Sequence, residues 1–124
     1  MSRMSNQDLP EELRGILPDE CYAECISFDV DAGWHSLLKD LLVFIAERNP
    51  DIRVHQVKEK FGGLRFYVGQ TTEEIRAAIN EAERASFHTC DMCGKPATTS
   101  GKHWLVTRCE PCIEEHRLRR QKSV

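Results

Sequence analysis

Hydrophobic residues recur along this chain with two distinct periods, and the changes between them mark out the elements. Trp34, Leu37, Leu38, Leu41, Leu42 and Ile45 fall on one face of a helix that opens at Asp31 or Gly33 and is stopped by Asn49-Pro50-Asp51. Ile75, Ala78, Ile79, Ala82 and Phe87 make a second helical stripe, with Thr71 and Glu74 placed as its capping box. Leu9, Leu13, Ile16 and Leu17 predict a shorter helix over residues 6–17, closed by Pro18.

Between these stretches the period falls to two. Ile26, Phe28 and Val30 alternate with Ser27 and Asp29, as in a half-buried strand, whereas residues 21–25 are ambiguous. The runs 52–57 and 64–68 flank Gly62-Gly63, a pair able to take positive φ at both centres of a two-residue hairpin turn. That turn sets Lys60 across from Arg65, Glu59 across from Phe66 and Lys58 across from Tyr67. Val57, Phe61, Leu64, Phe66 and Val68 then face the helices, with Glu59 as a misfit. An isolated hairpin is marginal, so the strand over 26–30 is expected to join it and the helices to cover one face. The expected fold is α+β: a small antiparallel sheet of hairpin plus one strand packed on helices, followed by a zinc ribbon. The expected division is an α+β domain over residues 1–89 and a ribbon module with a basic tail over 90–124.

The ribbon is read from the cysteines. Cys90 and Cys93 form one Cys-x-x-Cys knuckle and Cys109 and Cys112 another, with fifteen residues between the two. Four thiolates at that spacing can close tetrahedrally around a single zinc ion. Gly94 follows the first knuckle, where the backbone must turn, residues 95–102 read as a hairpin connection, and residues 103–108 read as the strand returning to the second knuckle. Zinc is the expected metal, iron in a rubredoxin-like site the main rival, and a disulfide pair the remaining alternative. His88, His103 and His116 are nearby, but four cysteines already saturate such a site. Cys21 and Cys25 read as buried thiols, with a half-site shared with His35 or His55 as the other option.

A site closed by four sulfurs has no open corner, so it activates no water and polarises no substrate. Motifs that would imply chemistry are also missing. No histidine is followed by glutamate two positions later, as a zinc deaminase needs, and neither a His-Glu-x-x-His helix nor a phosphate-binding glycine loop is present. The expectation is a protein that is not an enzyme.

Charge adds a candidate surface. The net charge is only −3, yet residues 1–31 hold eight acids against two bases, and residues 90–124 hold seven bases against four acids. Lys58, Lys60, Arg65 and Tyr67 share the solvent face of the expected hairpin. A like-charge pair across strands disfavours the sheet unless something anionic neutralises it. The face is therefore either a partner-binding surface or one solvated by water or covered by the acidic front. The bases from Arg117 to Lys122 are either further phosphate contacts or a solvated end. Residues 1–10 contain no signal-peptide run, and the longest apolar run, residues 41–46, is far too short for a membrane span. A cytoplasmic protein is expected.

The stretch Gln56-Val57-Lys58-Glu59-Lys60-Phe61-Gly62-Gly63-Leu64-Arg65-Phe66-Tyr67-Val68, a helix, and then Cys90-Asp91-Met92-Cys93-Gly94 resembles a group of small zinc-ribbon proteins common in bacteriophages and prophages. Gly33-Trp34 before the long helix and an aromatic strand at His103-Trp104 belong to the same pattern, which spans Gly33 to Cys112. Cys112 stands where histidine is expected in many relatives. The resemblance implies a phage-encoded protein of the host cytoplasm that binds and redirects host machinery, as an inhibitor or adaptor of a host protein. Nucleic-acid binding through the hairpin face and the basic tail is the alternative.

Overall fold

A computed structural model describes residues 3–122. Its elements run β1 (Phe28–Asp29), α1 (His35–Arg48), β2 (Val54–Lys60), β3 (Gly63–Val68), α2 (Glu73–Ser86), β4 (Thr98–Ser100), β5 (Val106–Arg108) and α3 (Glu110–Lys122). The architecture is α+β, with a three-stranded sheet ordered β1-β2-β3 and a separate two-stranded sheet of β4 and β5.

β2 and β3 form the expected antiparallel hairpin, whereas β1 joins β2 in parallel, Phe28 beside Val57. A parallel neighbour needs a crossover, and α1, lying between β1 and β2 in the chain, supplies it. Leu38, Leu41, Leu42 and Ile45 of α1 and Ile75 and Ile79 of α2 are buried against Val54, Val57, Leu64 and Phe66 of the sheet. Val54 and Val57 are an odd number of positions apart yet both buried. A bulge between Val54 and Gln56 resets the alternation.

The outer edge of β3 is closed by side chains rather than by another strand. Leu64 N–H donates to Ser86 Oγ at 2.8 Å and Phe66 N–H to Glu83 Oε2 at 2.9 Å, so α2 satisfies the edge amides that would otherwise recruit another chain. Ser86→Ala is expected to leave the buried Leu64 amide unpaired and lower stability by about 1–3 kcal/mol in a denaturant titration.

Three local expectations are corrected. Residues 6–17 form no α-helix: the chain makes 3-10 turns at Asn6–Asp8, Glu11–Leu13 and Asp19–Tyr22. Leu9, Leu13 and Leu17 are all buried, which is why the pattern reads as helical. Gly15 breaks the run at φ +78, and the Asn6 amide takes over the hydrogen bonding, donating to Leu17 O and accepting from Gly15 N–H, both at 2.9 Å. The strand expected over 26–30 shrinks to β1, and Ile26 stands 77% exposed while its N–H binds His55 O at 2.8 Å. At α2 the cap is Thr72, whose Oγ1 accepts from Ile75 N–H at 3.2 Å. Glu74 instead pairs with Arg48 of α1 at 2.6 Å, tying the two helices together.

The hairpin turn is also displaced by one residue. Lys60 pairs with Gly63, so Phe61 and Gly62 form the turn, both at positive φ (55° and 87°). Two contacts decide this. Glu59, the misfit of the sequence reading, accepts the Gly62 N–H at 2.7 Å, and the Phe87 ring occupies the space beside Gly63, where an added Cβ would lie 2.2 Å from Phe87 Cζ. Lys58, not Lys60, therefore lies across from Arg65, and Phe61 turns out to solvent instead of inward.

Candidate metal centre

The two knuckles are delivered by different elements. Cys90 follows the end of α2, and its N–H donates to Lys95 O at 2.7 Å while its own carbonyl accepts from Gly94 N–H at 3.0 Å. Gly94 makes that return possible at φ +82. β4 and β5 then carry the chain back, Thr99 beside Thr107, to Cys109 just ahead of α3, with Cys112 in its first turn. The four Sγ atoms of Cys90, Cys93, Cys109 and Cys112 all lie within 4.8 Å of one another, and those of Cys93 and Cys109 are 3.6 Å apart. Sulfurs bound tetrahedrally at about 2.3 Å from zinc sit roughly 3.8 Å from each other, so the cluster has the dimensions of a metal site. Cys90 and Cys112 are buried, Cys109 is half-buried and Cys93 is exposed.

Backbone dipoles favour the anionic form at the centre's inner corner. Burial opposes ionisation of Cys90, but N–H groups of Cys109, Cys93 and Met92 outweigh it and bring the thiol down to about 6. The Met92 N–H lies 3.4 Å from that sulfur. Such amide-to-sulfur bonds orient a ligand and spread its charge. Cys112 is shifted the other way by its hydrogen bond with Cys109 and by burial.

The remaining candidate ligands lie elsewhere. His88, His103 and His116 are exposed and outside the cluster. Cys21 and Cys25 are buried, their thiols directed to Pro50 O at 3.1 Å and Ser27 O at 3.3 Å, and burial pushes both up. His35 pairs with Glu12 and His55 lies 3.9 Å from Glu24, so neither completes a half-site with those thiols.

The module is spliced into the rest of the chain across the boundary expected at residue 89. Gly33 N–H donates to Asp91 O at 2.8 Å, and a Cβ at Gly33 would fall 2.1 Å from Cys90 O, so the knuckle rests directly on backbone. Trp34, fully buried, donates from Nε1 to Thr89 O at 2.9 Å. Thr107 Oγ1 donates to Gly62 O at 2.6 Å, joining the ribbon to the turn of the first hairpin. Asp91 and Arg108 close the two knuckles with a bidentate pair at 2.8 and 3.0 Å, their side chains only 8% and 13% exposed. That bond to Asp91 holds the Arg108 guanidinium above its usual range.

Lys58, Lys60, Arg65 and Tyr67 share one face of the β2–β3 hairpin, with Lys60 and Tyr67 exposed and Lys58 and Arg65 half-buried. In the basic tail, Arg117 and Arg119 are paired with Glu114 and Glu115 along α3. The strand expected from residue 103 is shorter: β5 begins only at Val106 and leaves Trp104, which the sequence pattern placed on that strand, in the connecting loop, 76% exposed. The opposing strand β4 is also only three residues long, which leaves residues 101–105 as loop.

No family model, curated protein or solved structure matches the chain. Among the described residues, no helix is long and apolar enough to cross a membrane.

Proposed function

We infer that this is a non-catalytic zinc-binding protein, phage-encoded and working in the host cytoplasm, whose metal locks a small ribbon onto an α+β frame so that their joined surface can hold a macromolecular partner. The convergence of four sulfurs within 4.8 Å carries this reading. Zinc takes four thiolates readily, and the occupied tetrahedron leaves no corner for water or substrate. Four thiolates around a dication leave a net charge of about −2, which the neighbouring Arg108 helps offset.

Elemental analysis of purified protein is expected to find about one zinc per chain, and cobalt substitution to give the absorption of a tetrahedral thiolate site. Stoichiometric iron would replace zinc in the account. No stoichiometric metal, or a metal-bound water, would overturn it.

A second reading, an inhibitor or adaptor docking on a host protein through Lys58, Lys60, Arg65 and Tyr67, is favoured by exposed aliphatic side chains beside Trp104, namely Leu105 and Ile113. Apolar anchors ringed by charge suit a protein interface.

A further inference from the structure

Among the described residues three large aromatic side chains are exposed, Tyr67 on the hairpin face and two that sit at hairpin tips. Phe61 is 64% exposed on the β2–β3 turn, and Trp104 lies in the β4–β5 loop. The tips are held side by side, because Thr107 Oγ1 bonds Gly62 O and a Cβ on Gly62 would meet the Thr99 methyl at 2.8 Å. Between them is a depression of about 360 Å3 whose lining includes Lys58, Lys60, Phe61, His103 and Trp104. The Lys60 ammonium lies 5.5 Å from the Phe61 ring centroid. Trp104 also borders a second groove of about 910 Å3 against α3, where His116, Arg117 and Arg120 contribute and no carboxylate lines the walls.

The geometry points to single-stranded nucleic acid as the partner, laid across the two tips with bases stacked on Trp104 and Phe61 and phosphates held on either side by Lys58, Lys60 and Arg120. This inference rests on the binding-protein reading above and names its ligand class. A single strand offers unpaired base faces and a charged backbone together, and aromatic platforms flanked by cations match both. Glu59 is the one carboxylate at the first depression, and its Oε2 accepts the Gly62 N–H. Among the described residues Lys58 and Lys60 form no ion pair, so their charge is available to an incoming phosphate. A duplex stacks its bases inside and hides those faces. An acidic protein segment satisfies the cations but gives the aromatic rings no stacking partner.

The test uses the metal-loaded full chain, with a labelled oligothymidylate of about 15 nucleotides, the matching duplex and polyglutamate as probes. Binding is followed by anisotropy and by tryptophan emission, in which the exposed Trp104 is quenched by stacking and the buried Trp34 is not. The expected result is binding of the single strand in preference to the duplex, with Trp104→Ala weakening it roughly 5- to 150-fold. Lys60→Ala is expected to reduce the slope of log K against log salt by about 0.7. Both side chains are exposed, and unchanged melting temperatures would verify that the variants are folded. Failure to bind the single strand at low salt, equal binding by Trp104→Ala, or Trp104-dependent binding of polyglutamate in its place would each overturn the assignment. Metal content is measured on the same sample. A folded protein with stoichiometric zinc that binds no oligonucleotide removes the ligand and leaves the zinc-binding reading standing, whereas a sample without metal removes that reading itself.

Discussion

Cys90→Ser is expected to abolish stoichiometric metal binding and release residues 90–122 from the α+β frame. Cys90 is the most deeply buried of the four clustered cysteines, its sulfur is supported by several backbone N–H groups, and it is the first residue after the Thr89 carbonyl that holds the Trp34 indole. Metal ligation and folding of such a module are one event, with an apparent free energy of about 10–16 kcal/mol, comparable to the whole stability of a domain. Apart from its hydrogen bonds to Gly33 and Gly62 and the Asp91–Arg108 pair, the ribbon has little of its own to hold it: two strands of three residues each and an α3 whose described side chains are almost all exposed. Elemental analysis should show the metal gone, thermal unfolding should shift strongly downward, and Trp34 emission should move to the red as its Nε1–H loses Thr89 O. A Cys90→Ser protein that keeps one metal per chain and native Trp34 emission would show that the ligand set is wrong.

Arg108→Met is expected to destabilise the metal-loaded protein by about 3–5 kcal/mol, because it strands a buried carboxylate without a partner. Asp91 is not a replaceable surface acid. Its N–H binds Thr107 O and its carbonyl accepts from Gly33 N–H, both at 2.8 Å, so the side chain cannot swing out to water without disturbing the knuckle's seat. Adding Asp91→Asn to Arg108→Met should recover much of the loss, since a neutral amide costs less to bury than a carboxylate. Urea titrations of the two proteins, each checked for metal, measure the difference. Equal stability of wild type and Arg108→Met would mean that the pair contributes nothing beyond its shape.

Several features follow from local sequence alone. The two long helices are legible because Trp34, Leu38, Leu41, Leu42 and Ile45, and likewise Ile75 and Ile79, repeat at the helical period and are buried where that period places them. The metal-site residues are legible because a Cys-x-x-Cys turn sets two sulfurs side by side whatever surrounds it. The common face of Lys58, Lys60, Arg65 and Tyr67 survived a shifted turn because Lys58 and Lys60 keep their parity on β2, as Arg65 and Tyr67 do on β3. The turn itself was misread, since glycine pairs look alike in sequence and nothing local says that Phe87 will pack on Gly63 while Glu59 holds Gly62. The N-terminal turns were misread for a similar reason. Leucines at intervals of four suit a helix, yet here the Asn6 side chain supplies bonds that a helix would take from its backbone.

By itself, then, the sequence determined the two long helices, the pairing of the hairpin strands and the two Cys-x-x-Cys knuckles, because each depends on residues close together in the chain. Tertiary structure alone decided that Gly33 would seat the knuckle, that β1 would lie parallel to β2, that Asp91 would find Arg108, and that Phe61 and Trp104 would meet at the surface. Those contacts join positions far apart in the chain, and their geometry is set by how packed elements meet, which no periodicity in a single segment encodes.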